Sequence, residues 1–152
     1  MIMLIGYGNH LRRDDGAGPA LARMIEAWSG PADLKVITPH QLVPELAENL
    51  ATSDVTAVLF LDASIGDCEG KVLVSINPLK AGSGSPSLGH FFSAADLLCY
   101  TELLRGSSLP AWQVTVPGID FGYGEGLSVY SGKNLATAFK KLLSFLQKIS
   151  LL

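Results

Sequence analysis

The sequence carries little charge, and none of it is gathered. Aspartate, glutamate, lysine and arginine make up 16% of the 152 residues, the formal net charge is −3, and no basic block occurs. That balance argues against nucleic acid as a main partner. Cysteine is nearly absent. Cys68 and Cys99 lie far apart in no metal-binding spacing, as expected of free thiols in a reducing cytoplasm. No apolar stretch approaches the length of a membrane span, so no membrane partner is expected. The opening Met1-Ile2-Met3-Leu4-Ile5 lacks a basic leader and a cleavage-site pattern and runs straight into glycine, so it reads as a strand and not a signal peptide. There is no internal repeat, no Walker loop and no Gly-x-Ser-x-Gly elbow. What the chain does have is apolar bulk, 48% of its residues. That favours one domain spanning 1–152, with a sheet covered on both faces whose central strands read as continuous apolar runs.

Strand and helix signals alternate along the chain. Strands are expected at 2–6, 34–38, 55–61, 71–76 and 112–116. The fourth follows the polar turn Gly66-Asp67-Cys68-Glu69-Gly70 and is expected as an antiparallel edge. Helices are expected from Asp15 or Gly16 to Trp28, at 42–50, from His90 to Leu104 and at 132–149, the first, second and last with an apolar stripe at helical spacing. A Gly-, Ser- and Pro-rich loop fills 78–89 and a glycine-rich loop fills 117–128. The fold expected is α/β: a single-domain three-layer sandwich with a twisted, mostly parallel five-stranded sheet and helices on both faces.

The densest chemistry lies just after the first strand, in GYGNHLRRDDGAG from Gly6 to Gly18. Its glycines allow close backbone approach, and in an open α/β sheet ligands sit at the mouth of such strands. The third glycine of a dinucleotide fingerprint is missing, with Leu11 at that offset, and no acid follows the second strand. Asp14 and Asp15 both sit where a helix cap is wanted, but capping needs only one of them. Asp62 ends the most buried-looking strand, where a side chain projects into the crevice. Of the three histidines, His10, His40 and His90, the last opens the third expected helix. Asp15, Asp62 and His90 together offer two carboxylates and one imidazole with open positions, a set suited to a first-row divalent metal. Cys68, between Asp67 and Glu69, is a poor nucleophile. Cys99 is expected in the core.

These segments resemble the hydrogenase maturation proteases, endopeptidases that trim the C-terminus of nickel–iron hydrogenase large subunits. The match lies in GYGNHLRRDDGAG, in the strand VLFLDAS, in HFFSAADLL and in the late loop VPGIDFGYGEGLS, in this order over nearly the whole chain. His40 to Ala47 looks like the branch serving soluble, bidirectional-type hydrogenases. The sequence departs from the family where Leu88-Gly89, and not Ser-Pro, precede His90. The resemblance implies that Asp15, Asp62 and His90 are the metal-contacting and catalytic residues of an aspartic-type endopeptidase, which leaves Asp14 as the expected cap. It implies no permanent cofactor, nickel (Ni2+) supplied by the substrate, and a nickel–iron hydrogenase large-subunit precursor as partner. It places the loops 82–89 and 118–126 against the substrate's C-terminal extension. With no long exposed apolar stripe evident, a monomer is expected. Two other readings stay open: a non-proteolytic α/β domain binding a small molecule or nucleotide, and an inactive, partner-binding maturation chaperone.

Overall fold

A computed structural model of the chain describes residues 1–28, 33–67, 69–82 and 92–150. These form strands β1 (Ile2–Gly6), β2 (Leu34–Ile37), β3 (Ala57–Ile65), β4 (Ser75–Pro78) and β5 (Ala111–Gly118), with helices α1 (Ala17–Ala27), α2 (Leu46–Leu50), α3 (Ala94–Arg105) and α4 (Val129–Ser150). The strands build one sheet in the order β2-β1-β3-β5-β4, parallel except for β4, which runs antiparallel to β5 at the edge. The expected α/β architecture is therefore present, antiparallel edge included.

Alternate residues of each strand feed two separate cores. Leu4, Leu59, Leu61, Val114 and Val116 pack against Leu21 and Ile25 of α1 and Leu142 and Leu146 of α4. Met3, Ile5, Val58 and Phe60 point the other way, onto Leu50 of α2 and Leu97 and Leu98 of α3. Each such side chain contributes about 1.5–3 kcal/mol by leaving water, so the uninterrupted apolar runs of β1 and β3 select the centre of the sheet. α1 lies close because its first turn is small. A Cβ on Gly6 would come 2.6 Å from the Ala22 Cβ, and one on Gly18 would strike the carbonyls of Leu61 and Tyr7.

Several boundaries differ from expectation, each for a local reason. α2 starts at Leu46 and not at 42: Pro44 disfavours helical geometry at Val43, and Leu42 is buried ahead of the helix. β4 starts at Ser75 and not at 71, because the Asp67 carboxylate captures the N–H groups of Lys71 and Val72 and holds them in a turn. α3 starts at Ala94, where Ser93 and Asp96 form a reciprocal capping box, and ends on Gly106 in the left-handed conformation. His90 therefore does not open this helix, and its own position falls outside the described residues, as do Cys68 and the expected loop from 83 onward. α4 starts at Val129, with the Ser131 N–H donating to the Ser128 hydroxyl.

Cys99 is exposed, not in the core. It lies on the outward side of α3 near Tyr100, Leu103 and Leu104, which are 51%, 76% and 63% exposed, so this helix does present an apolar outer face. No described helix is long and apolar enough to cross a membrane.

Candidate functional site

The chain leaves β1 to one side, through α1 to β2, while β3 lies on the other side of β1. The strand order thus reverses between β1 and β3, and in open α/β sheets ligands bind in the crevice at that switch point. Asp15 and Asp62 border it. Asp15 lies in a short 3-10 turn, Arg13–Gly16, between β1 and α1. Asp62 belongs to β3 itself, and the register Gly6 to Leu61 brings the residue after β1, Tyr7, level with it.

Asp62 was expected to end its strand. The strand instead continues to Ile65, paired with β5 through Asp62–Thr115 to Ile65–Gly118. The apolar run stops at Leu61 because burial stops there, whereas the backbone pairing goes on.

Each carboxylate has a defined setting. The Asp15 Oδ2 accepts the Asn9 N–H at 2.7 Å, and the Asn9 side chain in turn accepts the Leu11 N–H at 2.9 Å. Asn9 and the glycines therefore shape the turn, as expected. Asp62 is half-buried. Burial pushes its pKa up to about 6; the Asp15 charge adds to the rise, and hydrogen bonds from the Tyr7 hydroxyl and the Ala63 N–H oppose it. Tyr7 accepts a hydrogen bond from the Gln113 amide at 3.1 Å. Its own pKa is driven well above the ordinary phenol value, first by burial and then by the Asp62 charge. It stays protonated and serves as a donor.

Tyr7 and Gln113 are neighbours of Asp62 that the sequence reading missed. The signal was present: Gln113 is a polar interruption in an apolar strand, Trp112 to Val116.

Asp14 is not a helix cap. Neither the 3-10 turn nor α1 has a side-chain cap. Asp14 is fully buried and receives four hydrogen bonds from the far end of the chain: the N–H groups of Ile119 (2.9 Å), Asp120 (3.0 Å) and Ser128 (2.7 Å), and the Ser128 hydroxyl (2.7 Å). Burial alone would raise its pKa, but these donors, the Ser128 hydroxyl foremost, outweigh it and hold the carboxyl below the ordinary range. Gly118 makes room, since a Cβ there would sit 2.6 Å from the Asp14 Cβ. Arg13 bends the chain between the two roles. It is a non-glycine residue in the left-handed region (φ 46°), held by its N–H on the Gly124 carbonyl at 3.1 Å and by its guanidinium 3.5 Å from Asp120. Over-determined strain of this kind is typical of functional turns.

The structure therefore brings Asp15 and Asp62 together and leaves His90 outside what it describes. Among the described residues no three His, Cys, Asp or Glu side chains form a metal-binding cluster. The oxygen pair is suited to a divalent cation. His10 and His40 are exposed and join no site. The Asp62 titration has a definite sign. The folded state holds this proton more tightly than an unfolded chain, whose value is 3.8, so the Asp62 contribution to stability is greatest below that value and is lost as pH rises through about 6. A carboxyl-carbon NMR titration of the metal-free protein should place the Asp62 midpoint near pH 6, and Tyr7→Phe, which removes a donor to the ionised form, should move it higher. A midpoint at the ordinary value in the parent protein would contradict this account.

Neither a protein-family model nor a curated protein sequence matches the chain. Solved structures do, among them peptidases that mature hydrogenases. One is the hydrogenase maturating endopeptidase HybD from E. coli, at 18% identity and TM-score 0.76, covering 97% of this chain and 92% of that one. A second is the [NiFe] hydrogenase maturation protease HycI from Thermococcus kodakarensis, at 21% identity and TM-score 0.71, covering 96% and 92%. A third is a hydrogenase 2 maturation peptidase from a Thaumarchaeota archaeon, at 17% identity and TM-score 0.66, covering 95% and 97%. At these identities the likeness establishes the fold.

Proposed function

We propose that the chain is a hydrogenase maturation protease: an endopeptidase that removes the C-terminal extension of a nickel-loaded hydrogenase large-subunit precursor. The observation that carries this reading is the meeting of Asp15 and Asp62 at the β1/β3 switch point, close enough for one charge to raise the other's pKa, on the fold of such endopeptidases. Asp15, Asp62 and His90 are the ligands offered to the metal, His90 by the sequence motif alone. Nickel arrives with the substrate, and once held there it supplies a Lewis acid beside the scissile bond. The chain's own residues prepare the place. The Asn9 N–H fixes the Asp15 carboxylate, Tyr7 and Gln113 fix Asp62, and a pKa of about 6 leaves Asp62 ionised at neutral pH. Two carboxylates and one imidazole make an open site that holds metal only weakly, which suits inspection of another protein's nickel. The protein acts in this reading as a cytoplasmic monomer with no resident cofactor, in keeping with the free thiol of Cys99.

The test is to incubate the protein with nickel-loaded and nickel-free precursor and to weigh the products. Only the loaded precursor should lose its C-terminal extension. Intact loaded precursor would overturn the reading, and equal cleavage of both would remove nickel recognition from it. In a thermal-shift series, nickel, cadmium or zinc should stabilise the protein and His90→Ala should abolish the effect. Stabilisation by nucleotides instead would favour the nucleotide-binding alternative.

A further inference from the structure

The turn that carries Asp15 also carries an arginine set for a ligand. The Asp15 N–H donates to the Arg12 carbonyl at 3.1 Å, so the two residues belong to one hydrogen-bonded turn. The Arg12 guanidinium is held on two sides. Its Nε donates to the Phe121 carbonyl at 3.1 Å, and its central carbon lies 5.6 Å from the centre of the Tyr123 ring. Among the described residues no carboxylate pairs with it; the neighbouring Asp120 is taken by Arg13.

What Arg12 has left is its two terminal NH2 groups, exposed on the rim of the turn. An arginine with its rotamers already fixed loses little entropy when a planar carboxylate docks on that fork. Beside the Arg13–Asp120 pair the flanking apolar side chains are uncovered. Tyr123 is 88% exposed and Leu11 48% exposed, and the Gly124 N–H donates to the Leu11 carbonyl at 2.8 Å, which ties the two segments into one surface. An aromatic ring left in water beside a preorganised arginine has the composition of an interface anchor.

We propose that Arg12, backed by Tyr123 and flanked by Leu11, binds an acidic side chain of the polypeptide this protein cleaves. The segment crossing the rim thus carries a carboxylate among apolar residues. The proposal rests on the endopeptidase reading and deepens it by naming what part of the substrate is recognised beside the carboxylate pair. The charge pattern sets where such a residue docks: the carboxylate pair repels it, and the Arg12 guanidinium attracts it. With Asp15 and Asp62 deeper in the crevice, a peptide laid across the turn is drawn to the rim at its acidic residue and not to the acidic floor.

The test reads binding and not cleavage. Synthetic peptides that alternate apolar residues with glutamate, glutamine or lysine are titrated by fluorescence anisotropy against the full chain. The glutamate set should bind about five- to tenfold tighter than the glutamine set, a preference that shrinks as salt rises. Arg12→Gln should erase the preference while leaving the glutamine set unchanged. Arg12→Lys, which keeps the charge but not the fork, should retain part of it. No glutamate preference in the parent protein, an undiminished preference in Arg12→Gln, or displacement of the peptide by inorganic phosphate at equal concentration would each overturn the proposal. A protein that shows the preference yet cleaves no precursor defeats the endopeptidase reading alone; one that cleaves without the preference defeats only this proposal.

Discussion

Asp62→Asn should leave a folded protein that processes nickel-loaded precursor at least ~10³-fold more slowly, the order expected when a metal-binding carboxylate is lost from a hydrolytic site. The substitution keeps shape and volume, and an asparagine oxygen still accepts from Tyr7, so packing at the crevice persists. Stability should not fall either, and here the sign is informative. The folded protein resists ionising Asp62, whose pKa stands at about 6 against 3.8, so above pH 6 the parent protein carries a penalty that a neutral amide escapes. At pH 8 the variant should unfold at the same urea concentration as the parent or at a higher one, while at pH 4 the advantage should vanish. Asp15→Asn should show the same loss of processing, measured by product mass over time. Processing within tenfold of the parent in both variants would remove the carboxylate pair from the chemistry.

The second large effect belongs to Asp14, a residue with no expected part in the chemistry. Asp14→Ala strips the acceptor from three backbone N–H groups and one hydroxyl in a place with no exposure. Hydrogen bonds to a buried charge contribute ~1.5–3 kcal/mol each and leave orphaned donors when the charge goes; partial relaxation of the 119–128 segment toward water reduces the sum. A net loss of about 3–5 kcal/mol is expected, the scale for removing one partner of a buried charged network. Against a total of about 5–15 kcal/mol that is a large fraction, and it should lower the melting temperature by about 10 °C. Chemical denaturation of the parent and variant at neutral pH checks it, and a difference below ~1 kcal/mol would show the network to be ornamental. Because the Asp14 pKa is held low, its contribution is present above the ordinary carboxylate range and is lost as pH falls through the folded value. The parent should therefore weaken in acid where Asp14→Ala does not.

The layers of the molecule were legible because continuous apolar strands and striped helices encode burial directly. The edge strand was legible because a polar turn preceded it. The failures share a cause. Apolar runs report where side chains are covered, so β3 seemed to stop at Leu61 although its pairing continues to Ile65. Side chains that capture backbone, such as Asp67 at the start of β4 and the Ser93–Asp96 box at α3, moved boundaries that hydrophobic spacing cannot see. At the site, Asp15 and Asp62 could be proposed from position in the topology. Gln113 stands out as a polar residue in an apolar strand, but its pairing with Tyr7 has no local signal, because the two lie 106 residues apart and meet only in the folded sheet. The two acids of Asp14-Asp15 looked interchangeable as caps. What separates them is Gly118 and Ser128, which no local pattern connects to the opening motif.

That long reach also governs when the site can exist. The donors that seat Asp14 lie 105 to 114 residues downstream. Contacts of such separation form late, after loop-closure entropy has been met by nearer ones. During synthesis the opening motif therefore leaves the ribosome first but takes its working shape only when Ser128 and the start of α4 have followed. Until then Asp14 lacks the donors that seat it, and the turn lacks the Gly124 carbonyl and the Asp120 carboxylate that hold Arg13. The carboxylate pair is in this sense a product of completed folding: a partly made or partly unfolded chain keeps the motif's letters without its geometry.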